Sequence, residues 1–294
     1  MHKKVNFFIV GAPKCGTTAL SDYLNQLDDV FIPEIKEPHY HCVEWDDFRR
    51  IKTEKEYEGL YNKNFDKLCG DASVWCLFSE RSAEEIKRYN DSAKIIIMIR
   101  RPYEAAVSLH SQLVYSGRED EKDFVKAWDL QRKRSMGGAV PKNAIIKEHL
   151  LYKEVYDYPA QIKRYLDMFG KDGVKIVVFE DFVDKTEKVF GDICDFLGVK
   201  IKNRVNYEKV NSNRYHRFPR LAYFMMRPPG PLAWMKAWLK RYILKGKPVL
   251  RPLYKKFSVK RERPMISNQD KARISEEFVE IEKETKKIVG SLPW

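Results

Sequence analysis

Residues 6–18, N-F-F-I-V-G-A-P-K-C-G-T-T, join a predicted strand to a predicted helix. Asn6–Val10 is a short apolar run that ends at a glycine, which is typical of a fully buried strand. Thr17–Leu27 follows as a helix, because apolar residues recur at i, i+3, i+4 and i+7 from Leu20 and form one face. The sequence therefore predicts a strand–loop–helix unit at the start of the chain, with two glycines in the loop.

Two further apolar runs predict strands. Lys94–Ile99 and Val174–Phe179 both lack alternation, and each is followed by a helical pattern. Strands of this kind that are separated by helices indicate a parallel sheet covered by helices on both faces. We therefore expect a single α/β domain over residues 1–294, closed by a helix from Gln269 to Val289.

The Gly11–Thr18 loop has the chemistry of an anion site. Backbone N–H groups at a helix N-terminus, glycines that permit close approach, and side-chain donors all favour a phosphate or sulfate. The arrangement is similar to the nucleotide P-loop, but Thr17 stands where an NTPase has lysine, and the lysine, Lys14, lies in mid-loop. A sulfuryl group carries less charge than a phosphoryl group and needs a metal less, so the loop fits sulfuryl transfer better than ATP hydrolysis. A glycine turn with an incidental lysine is the alternative.

A second anion site is predicted where Lys94–Ile99 ends. Arg100 follows this strand, Pro102 begins a helix, and Ser108 lies about two turns along it. Ligands of open parallel sheets bind beyond the carboxyl ends of the strands, and an arginine with a hydroxyl suits a phosphate. Two anion sites on neighbouring strand ends indicate one ligand with two separated anionic groups.

These residues resemble the sulfotransferases that use 3′-phosphoadenosine 5′-phosphosulfate (PAPS), and in particular the bacterial and Golgi carbohydrate branch. The similar stretches are P-K-C-G-T-T at 13–18, K-E-P-H-Y at 36–40, G-D-A-S at 70–73, I-M-I-R-R-P at 97–102, and F-E-D-F with F-L-G-V between 179 and 199. Asp71 and Val74 stand where the family has Glu and Pro. The resemblance implies a P-loop-like sulfotransferase fold and transfer of a sulfuryl group from PAPS to an acceptor hydroxyl, with adenosine 3′,5′-bisphosphate (PAP) as product and no metal.

The resemblance also assigns residues that bind the donor. The 5′-phosphosulfate would be held by Pro13, Lys14, Cys15, Gly16, Thr17 and Thr18, and the 3′-phosphate by Arg100 and Ser108. Arg214 is a further candidate for the 3′-phosphate, because the family has a loop in that region that closes over PAPS. Lys14 is expected to stabilise the charge that develops on the bridging oxygen as the sulfuryl group leaves.

Glu37 matches the glutamate that takes the acceptor proton in the carbohydrate branch, so it is the candidate base. An ion pair with Lys36 or Lys14 is the alternative role of this carboxylate. The histidine base of the cytosolic small-molecule enzymes has no counterpart in residues 71–75. His39 and its neighbours do not have the ligand number and spacing of a zinc site.

The formal net charge of +13 is unevenly distributed. Residues 200–264 hold 19 basic and 2 acidic residues, whereas the rest of the chain holds 36 basic and 40 acidic ones. Four roles are open for this basic, insertion-like segment, which is rich in proline and aromatic residues: a solvated surface, a loop over PAPS, a peripheral membrane contact through 220–256, and guidance of a polyanionic or glycan acceptor. Nucleic-acid binding is not expected, because a basic patch without a recognised module is weak evidence.

The cysteines and the hydropathy pattern favour a cytoplasmic enzyme, with membrane association left open. The five cysteines are scattered, no signal-peptide pattern is present, and no apolar run approaches the ~20 residues of a membrane span. The expected acceptor is a hydroxyl of a carbohydrate, glycolipid or other glycoconjugate, and a small-molecule alcohol or phenol is the alternative. Two other classes stay open: a P-loop kinase or NTPase, and a non-catalytic protein that binds anions or membranes.

Overall fold

The computed structural model describes residues 4–35, 37–207 and 265–294, and the backbone of two short strands, Arg214–His216 and Ser258–Lys260. These two strands pair in an antiparallel ladder. Lys36, the membrane-contact candidate 220–256 and the side chain of Arg214 lie outside the described residues. In the described part of the chain, no helix is long and apolar enough to cross a membrane.

Five parallel strands with flanking helices form the domain, which confirms the predicted α/β fold. The strands are β1 (Phe7–Gly11), β2 (Val30–Phe31), β3 (Leu68–Asp71), β4 (Lys94–Ile99) and β5 (Val174–Val178). Their order across the sheet is β2-β3-β1-β4-β5. Every residue of β1 is buried, as are five of the six in β4, because both faces of these strands are covered.

The helices of the described residues surround this sheet. They are α1 (Thr17–Leu24), α2 (Glu54–Gly59), α3 (Ser82–Tyr89), α4 (Pro102–Tyr115), α5 (Phe124–Asp129), α6 (Gln131–Ser135), α7 (Tyr152–Val155), α8 (Tyr158–Phe169), α9 (Phe179–Asp184), α10 (Thr186–Leu197), α11 (Asn268–Glu276) and α12 (Val279–Val289). A short 3₁₀ turn, Lys147–Leu150, precedes α7.

Neighbouring strands β1 and β4 form a switch point in the sheet. From β1 the chain passes through α1 to β2 at one edge, and from β4 it continues to β5 at the other edge. Such a reversal leaves a crevice beyond the carboxyl ends of the two strands. The Gly11–Thr18 loop follows β1 and Arg100 follows β4, so the two predicted anion-binding segments stand side by side.

Several predicted boundaries were wrong, by one residue at each end of β1 and by one to three residues elsewhere. Helix α1 ends at Leu24 rather than Leu27, because the Asn25 side chain turns to bond the backbone of Ile32. Strand β5 ends at Val178, and Phe179 is the first residue of α9.

The C-terminal helix expected from Gln269 to Val289 is divided into α11 and α12. At the break, Phe278 is fully buried, with its ring centroid 5.3 Å from that of Trp128. The neighbouring Glu277 accepts a hydrogen bond from the Trp128 indole at 2.9 Å. Both contacts draw the chain towards the core between the two helices.

Candidate active site

The Gly11–Thr18 loop enters α1 through a left-handed glycine. Gly16 has a φ of 88° and directly precedes Thr17, and no side chain caps the helix there. An α-helix leaves its first N–H groups without partners inside the helix, and the partial positive charge of the helix end adds to them. The start of α1 therefore offers backbone donors and the hydroxyls of Thr17 and Thr18 to an anion.

Phe179 supports both the loop and Arg100. A Cβ atom on Gly16 would lie 2.7 Å from Cδ2 of Phe179, so the ring fills the space that any larger residue would need. The Arg100 guanidinium lies 4.8 Å from the centroid of the same ring. One aromatic side chain thus fixes the spacing of the two predicted anion-binding groups.

Two fully buried tyrosines also connect the loop to the region of Arg100. Tyr156 Oη donates to the carbonyl oxygen of Pro13, 3.0 Å away, and lies 3.1 Å from that of Ala105 in α4. Tyr158 Oη donates to the Arg100 carbonyl oxygen at 2.9 Å. These bonds hold the end of β4 and the loop after β1 in one arrangement.

Within the loop, Cys15 and Lys14 face different surroundings. Cys15 is fully buried, its Sγ lies 3.6 Å from Tyr158 Oη, and burial raises the pKa of its thiol to about 12. The Cys15 side chain is therefore a neutral part of the core, and its backbone N–H donates to the Ala12 carbonyl oxygen at 3.3 Å. Lys14 has a left-handed backbone, with φ 67°, and a half-buried side chain.

Arg100 stands at the carboxyl end of β4 with 19% of its side chain exposed. Its Nη2 lies 3.8 Å from Oε2 of Glu104, one turn along α4. Its Nε is buried and has no hydrogen-bond partner among the described residues. A buried donor without a partner is costly, which fits a guanidinium whose partner is a bound anion. Ser108 lies one turn beyond Glu104 and is buried.

A cavity of about 400 Å³ joins the start of α1 to the loop that carries the predicted base. Thr17 and Thr18 line it together with Glu37 and Asp71, the last residue of β3. The structure thus brings two of the predicted donor-binding residues and the candidate base to one cavity. Lys14, Cys15, Arg100 and Ser108 do not belong to its lining.

Glu37 has a left-handed backbone with φ 56° and a side chain that is 33% exposed. Its Oε2 lies 3.4 Å from Nε2 of His39, which is 2% exposed. Burial lowers the pKa of His39, but the adjacent Cys42 and Glu37 outweigh it and raise the pKa above its ordinary value. The His39 backbone N–H donates to Ser73 Oγ at 3.0 Å. Glu37 is therefore positioned by a histidine that is itself anchored to the loop after β3.

A P-loop kinase or NTPase needs a downstream aspartate to hold magnesium, and the nearest one here, Asp181, lies in the first turn of α9. It is 38% exposed and its Oδ1 lies 3.6 Å from Lys185 Nζ. Neighbouring Glu180 accepts a hydrogen bond from the Arg101 backbone at 3.2 Å. Neither carboxylate belongs to the lining of the cavity.

The sequence did not indicate several residues that shape this site. Tyr156 and Tyr158 hydrogen-bond to backbone atoms 51 to 143 residues away in the sequence, and no local pattern predicts such partners. For His39, the sequence shows only the lack of a zinc-site pattern and gives no sign of its contact with Glu37. Asp71 did carry a signal, since it is a polar residue at a strand end in a stretch similar to the family's.

Comparison with known proteins agrees with the geometry. A sequence model of the family described as "Sulfotransferase domain" matches residues 4–222. A sulfotransferase crystal structure from Alicyclobacillus acidocaldarius is 31% identical, covers 76% of this chain and 91% of its own, and has a TM-score of 0.62.

Carbohydrate sulfotransferase 15 from Mus musculus and from Homo sapiens is 23% identical over 247 residues, which is 66% of this chain. The alignment covers 44% of these relatives, so the chain spans less than half of their length. The family match includes all five strands, the Gly11–Thr18 loop and Arg100. The chain belongs to the sulfotransferase domain family.

Proposed function

We propose that the protein transfers the sulfuryl group of PAPS to an acceptor hydroxyl. The observation that carries this proposal is the cavity in which the start of α1 and the Glu37 side chain meet. A transferase of this kind needs an anion-binding element and a proton acceptor at one site. The cavity has both, and its volume is sufficient for a sugar or a phenol.

The donor-binding roles follow from the surroundings of each group. The α1 N-terminus and the Thr17 and Thr18 hydroxyls bind the 5′-phosphosulfate, and Arg100, with its unpartnered Nε, binds the 3′-phosphate together with Ser108. Arg214 is retained as a further 3′-phosphate ligand in this proposal. PAPS supplies the sulfuryl group, whose bond to the 5′-phosphate oxygen breaks as the acceptor oxygen bonds to sulfur, leaving PAP.

Glu37 and Lys14 are the catalytic residues in this proposal. Glu37 takes the proton of the acceptor hydroxyl, and Lys14 stabilises the negative charge on the leaving side. His39, 3.4 Å from the carboxylate, holds Glu37 in place. A metal is not required, because fixed cations and backbone donors supply the positive charge.

The acceptor belongs to one of two classes. A hydroxyl of a carbohydrate or glycoconjugate is favoured, since the mouse and human relatives are named carbohydrate sulfotransferases. A small-molecule alcohol or phenol is the alternative. Lipid-linked acceptors and a membrane contact through 220–256 extend the first class and depend on residues outside the described part.

The variant Glu37→Gln tests the proposal, with Glu84→Gln as its matched control. Glu84 is an exposed carboxylate on α3, 62% exposed, that pairs loosely with Arg81. With PAPS and an accepted hydroxyl compound, Glu37→Gln should lower kcat by about 10²–10⁴-fold, the usual contribution of a general base. PAP affinity should stay unchanged in both variants, and Glu84→Gln should retain its rate. A normal kcat for Glu37→Gln would exclude this residue as the base.

A further inference from the structure

The described charged residues that line the cavity beside Glu37 are acidic. Four carboxylic residues line it, Asp22, Glu34, Glu37 and Asp71, whereas no lysine or arginine does so among the described residues. A concave wall with charges of one sign attracts ligands of the opposite sign and repels those of its own. The charge of this wall therefore bears on which acceptors can enter.

Asp71 is a buried carboxylate in this wall with one unpaired oxygen. Its side chain is 1% exposed, and its Oδ2 accepts a hydrogen bond from Tyr57 Oη at 2.7 Å. Its Oδ1 is buried and has no hydrogen-bond partner among the described residues. Buried carboxylate oxygens are nearly always paired, so an orphaned one calls for a specific explanation.

The environment of Asp71 disfavours its charged form. Burial raises the pKa of this carboxyl above its ordinary value, and the nearby Ser73 and Tyr57 hydroxyls and His39, which lower the pKa, do not outweigh it. A cationic donor at Oδ1 would satisfy the orphaned oxygen and offset the cost of burying the charge, because charge-assisted hydrogen bonds are the strong ones. A neutral donor would satisfy only the hydrogen bond, and an anion would do neither.

Asp71 and Glu37 lie on the same cavity, and their loops are linked. Ser73, two residues after Asp71, accepts the hydrogen bond from the His39 backbone, and His39 contacts Glu37. One carboxylate is thus placed to take the proton of an acceptor hydroxyl while the other is placed to bind a second group of the same molecule.

We propose that Asp71 binds a cationic group of the acceptor, so that the enzyme prefers hydroxyl compounds that carry an ammonium group, such as amino sugars or phenolic amines, over sulfated or carboxylated ones. The inference rests on the proposed function, because it takes this cavity as the acceptor site. It opposes the alternative of a polyanionic acceptor guided by the basic segment 200–264.

Two acceptor series that differ in charge test the preference in the wild-type protein. The first is the methyl glycosides of glucosamine, N-acetylglucosamine and glucuronic acid, and the second is tyramine, 4-ethylphenol and 4-hydroxyphenylpropionate. With PAPS at saturation, kcat/KM should be highest for the cationic member and lowest for the anionic member of a series. The ranking should exceed about tenfold from end to end, the effect of a single charge-assisted hydrogen bond. An anionic compound as the best acceptor would overturn the proposal.

Variants locate the preference at Asp71. Asp71→Asn should raise KM for the cationic acceptor at least about tenfold with a smaller change in kcat, and should flatten the ranking. Tyr57→Phe breaks the bond to Oδ2 but keeps the carboxylate, so the ranking should survive. If Asp71→Asn folds and keeps the wild-type ranking, the assignment to Asp71 is wrong. If Asp71→Asn does not fold, the wild-type ranking and the Glu34→Gln variant test the proposal instead. Glu34→Gln should weaken the preference for the cationic acceptor.

Titration with PAP separates failure of this inference from failure of the proposed function. Protein that does not bind PAP and transfers no sulfuryl group contradicts the sulfotransferase proposal itself. Protein that binds PAP but sulfates neither cationic compound, or sulfates the anionic ones better, contradicts the acceptor preference alone.

Discussion

Replacing Gly16 with alanine should weaken binding of the sulfuryl donor and destabilise the fold. The reason is that Gly16 and Arg100 both pack against the Phe179 ring. The new Cβ would lie 2.7 Å from Phe179 Cδ2 and 3.0 Å from its Cε2. The ring must move to relieve this contact, and the Arg100 guanidinium above the ring must move with it. Gly198 supplies the matched control, since it has a left-handed φ of 77° but open space around its Cβ position.

The two substitutions separate strain from steric clash. Left-handed backbone at alanine costs about 1–2 kcal/mol, and this is the whole effect expected for Gly198→Ala. Gly16→Ala adds an overpacking cost of about 1–3 kcal/mol, so its total loss should be about 2–5 kcal/mol. Displacement of Phe179 and Arg100 should further lower PAP affinity by at least about tenfold, or ~1.4 kcal/mol.

Thermal unfolding with and without PAP measures both effects. A ligand at 100 times its Kd stabilises the folded state by about 2.7 kcal/mol. Wild type and Gly198→Ala should show this full stabilisation at equal PAP concentration, whereas Gly16→Ala should show about half of it or less. Equal stabilisation of all three proteins would refute the idea that Gly16, Phe179 and Arg100 form one donor-binding unit.

Two further predictions concern the stability of the fold. The Glu119–Arg134 pair is fully buried, with bonds of 2.7 Å at both carboxylate oxygens. Glu119→Gln should therefore lower the free energy of unfolding in urea by about 3–5 kcal/mol, whereas Asp192→Asn, in an exposed pair, should lower it by less than about 1 kcal/mol. Equal losses in the two variants would contradict this prediction. Burial lowers the pKa of His41 to about 3, so the unfolded chain takes up a proton below about pH 6.5 that the folded chain does not, and stability falls with decreasing pH by up to about 1.4 kcal/mol per pH unit. His41→Leu should reduce this slope between about pH 6 and pH 4, and an unchanged slope would show that His41 is not responsible.

The main strands could be predicted because burial on both faces leaves a direct trace in the sequence. The run Lys94–Ile99, which is apolar after its first residue, has the bounds of β4 itself, and the run that predicts β1 differs from that strand by one residue at each end. Strands β2 and β3 could not be found in this way, since Val30–Phe31 has two residues and Leu68–Asp71 contains a glycine and an aspartate. Their place in the sheet depends on pairing with each other and with β1 rather than on a local pattern.

The same distinction between local patterns and long-range packing applies to the candidate site. Lys14, Glu37 and Arg100 could be chosen as candidates because each lies in a short stretch with a recognisable pattern. The orphaned Oδ1 of Asp71 and the bond from Tyr158 to Arg100 arise only when distant parts of the chain pack together. The charge of the cavity wall also depends on how distant parts of the chain pack: its described charged residues are acidic, although the chain as a whole has a net charge of +13.

Titration of PAP into the wild-type protein in the presence of EDTA tests the central claim most directly. The loop after β1 and Arg100 after β4 are expected to bind its 5′- and 3′-phosphates without a metal, so binding should be saturable and should be weakened by Arg100→Ala. Mg-ATP, titrated in parallel without EDTA, should bind more weakly than PAP. Absence of PAP binding together with tight binding of Mg-ATP would contradict the assignment of this site to PAPS.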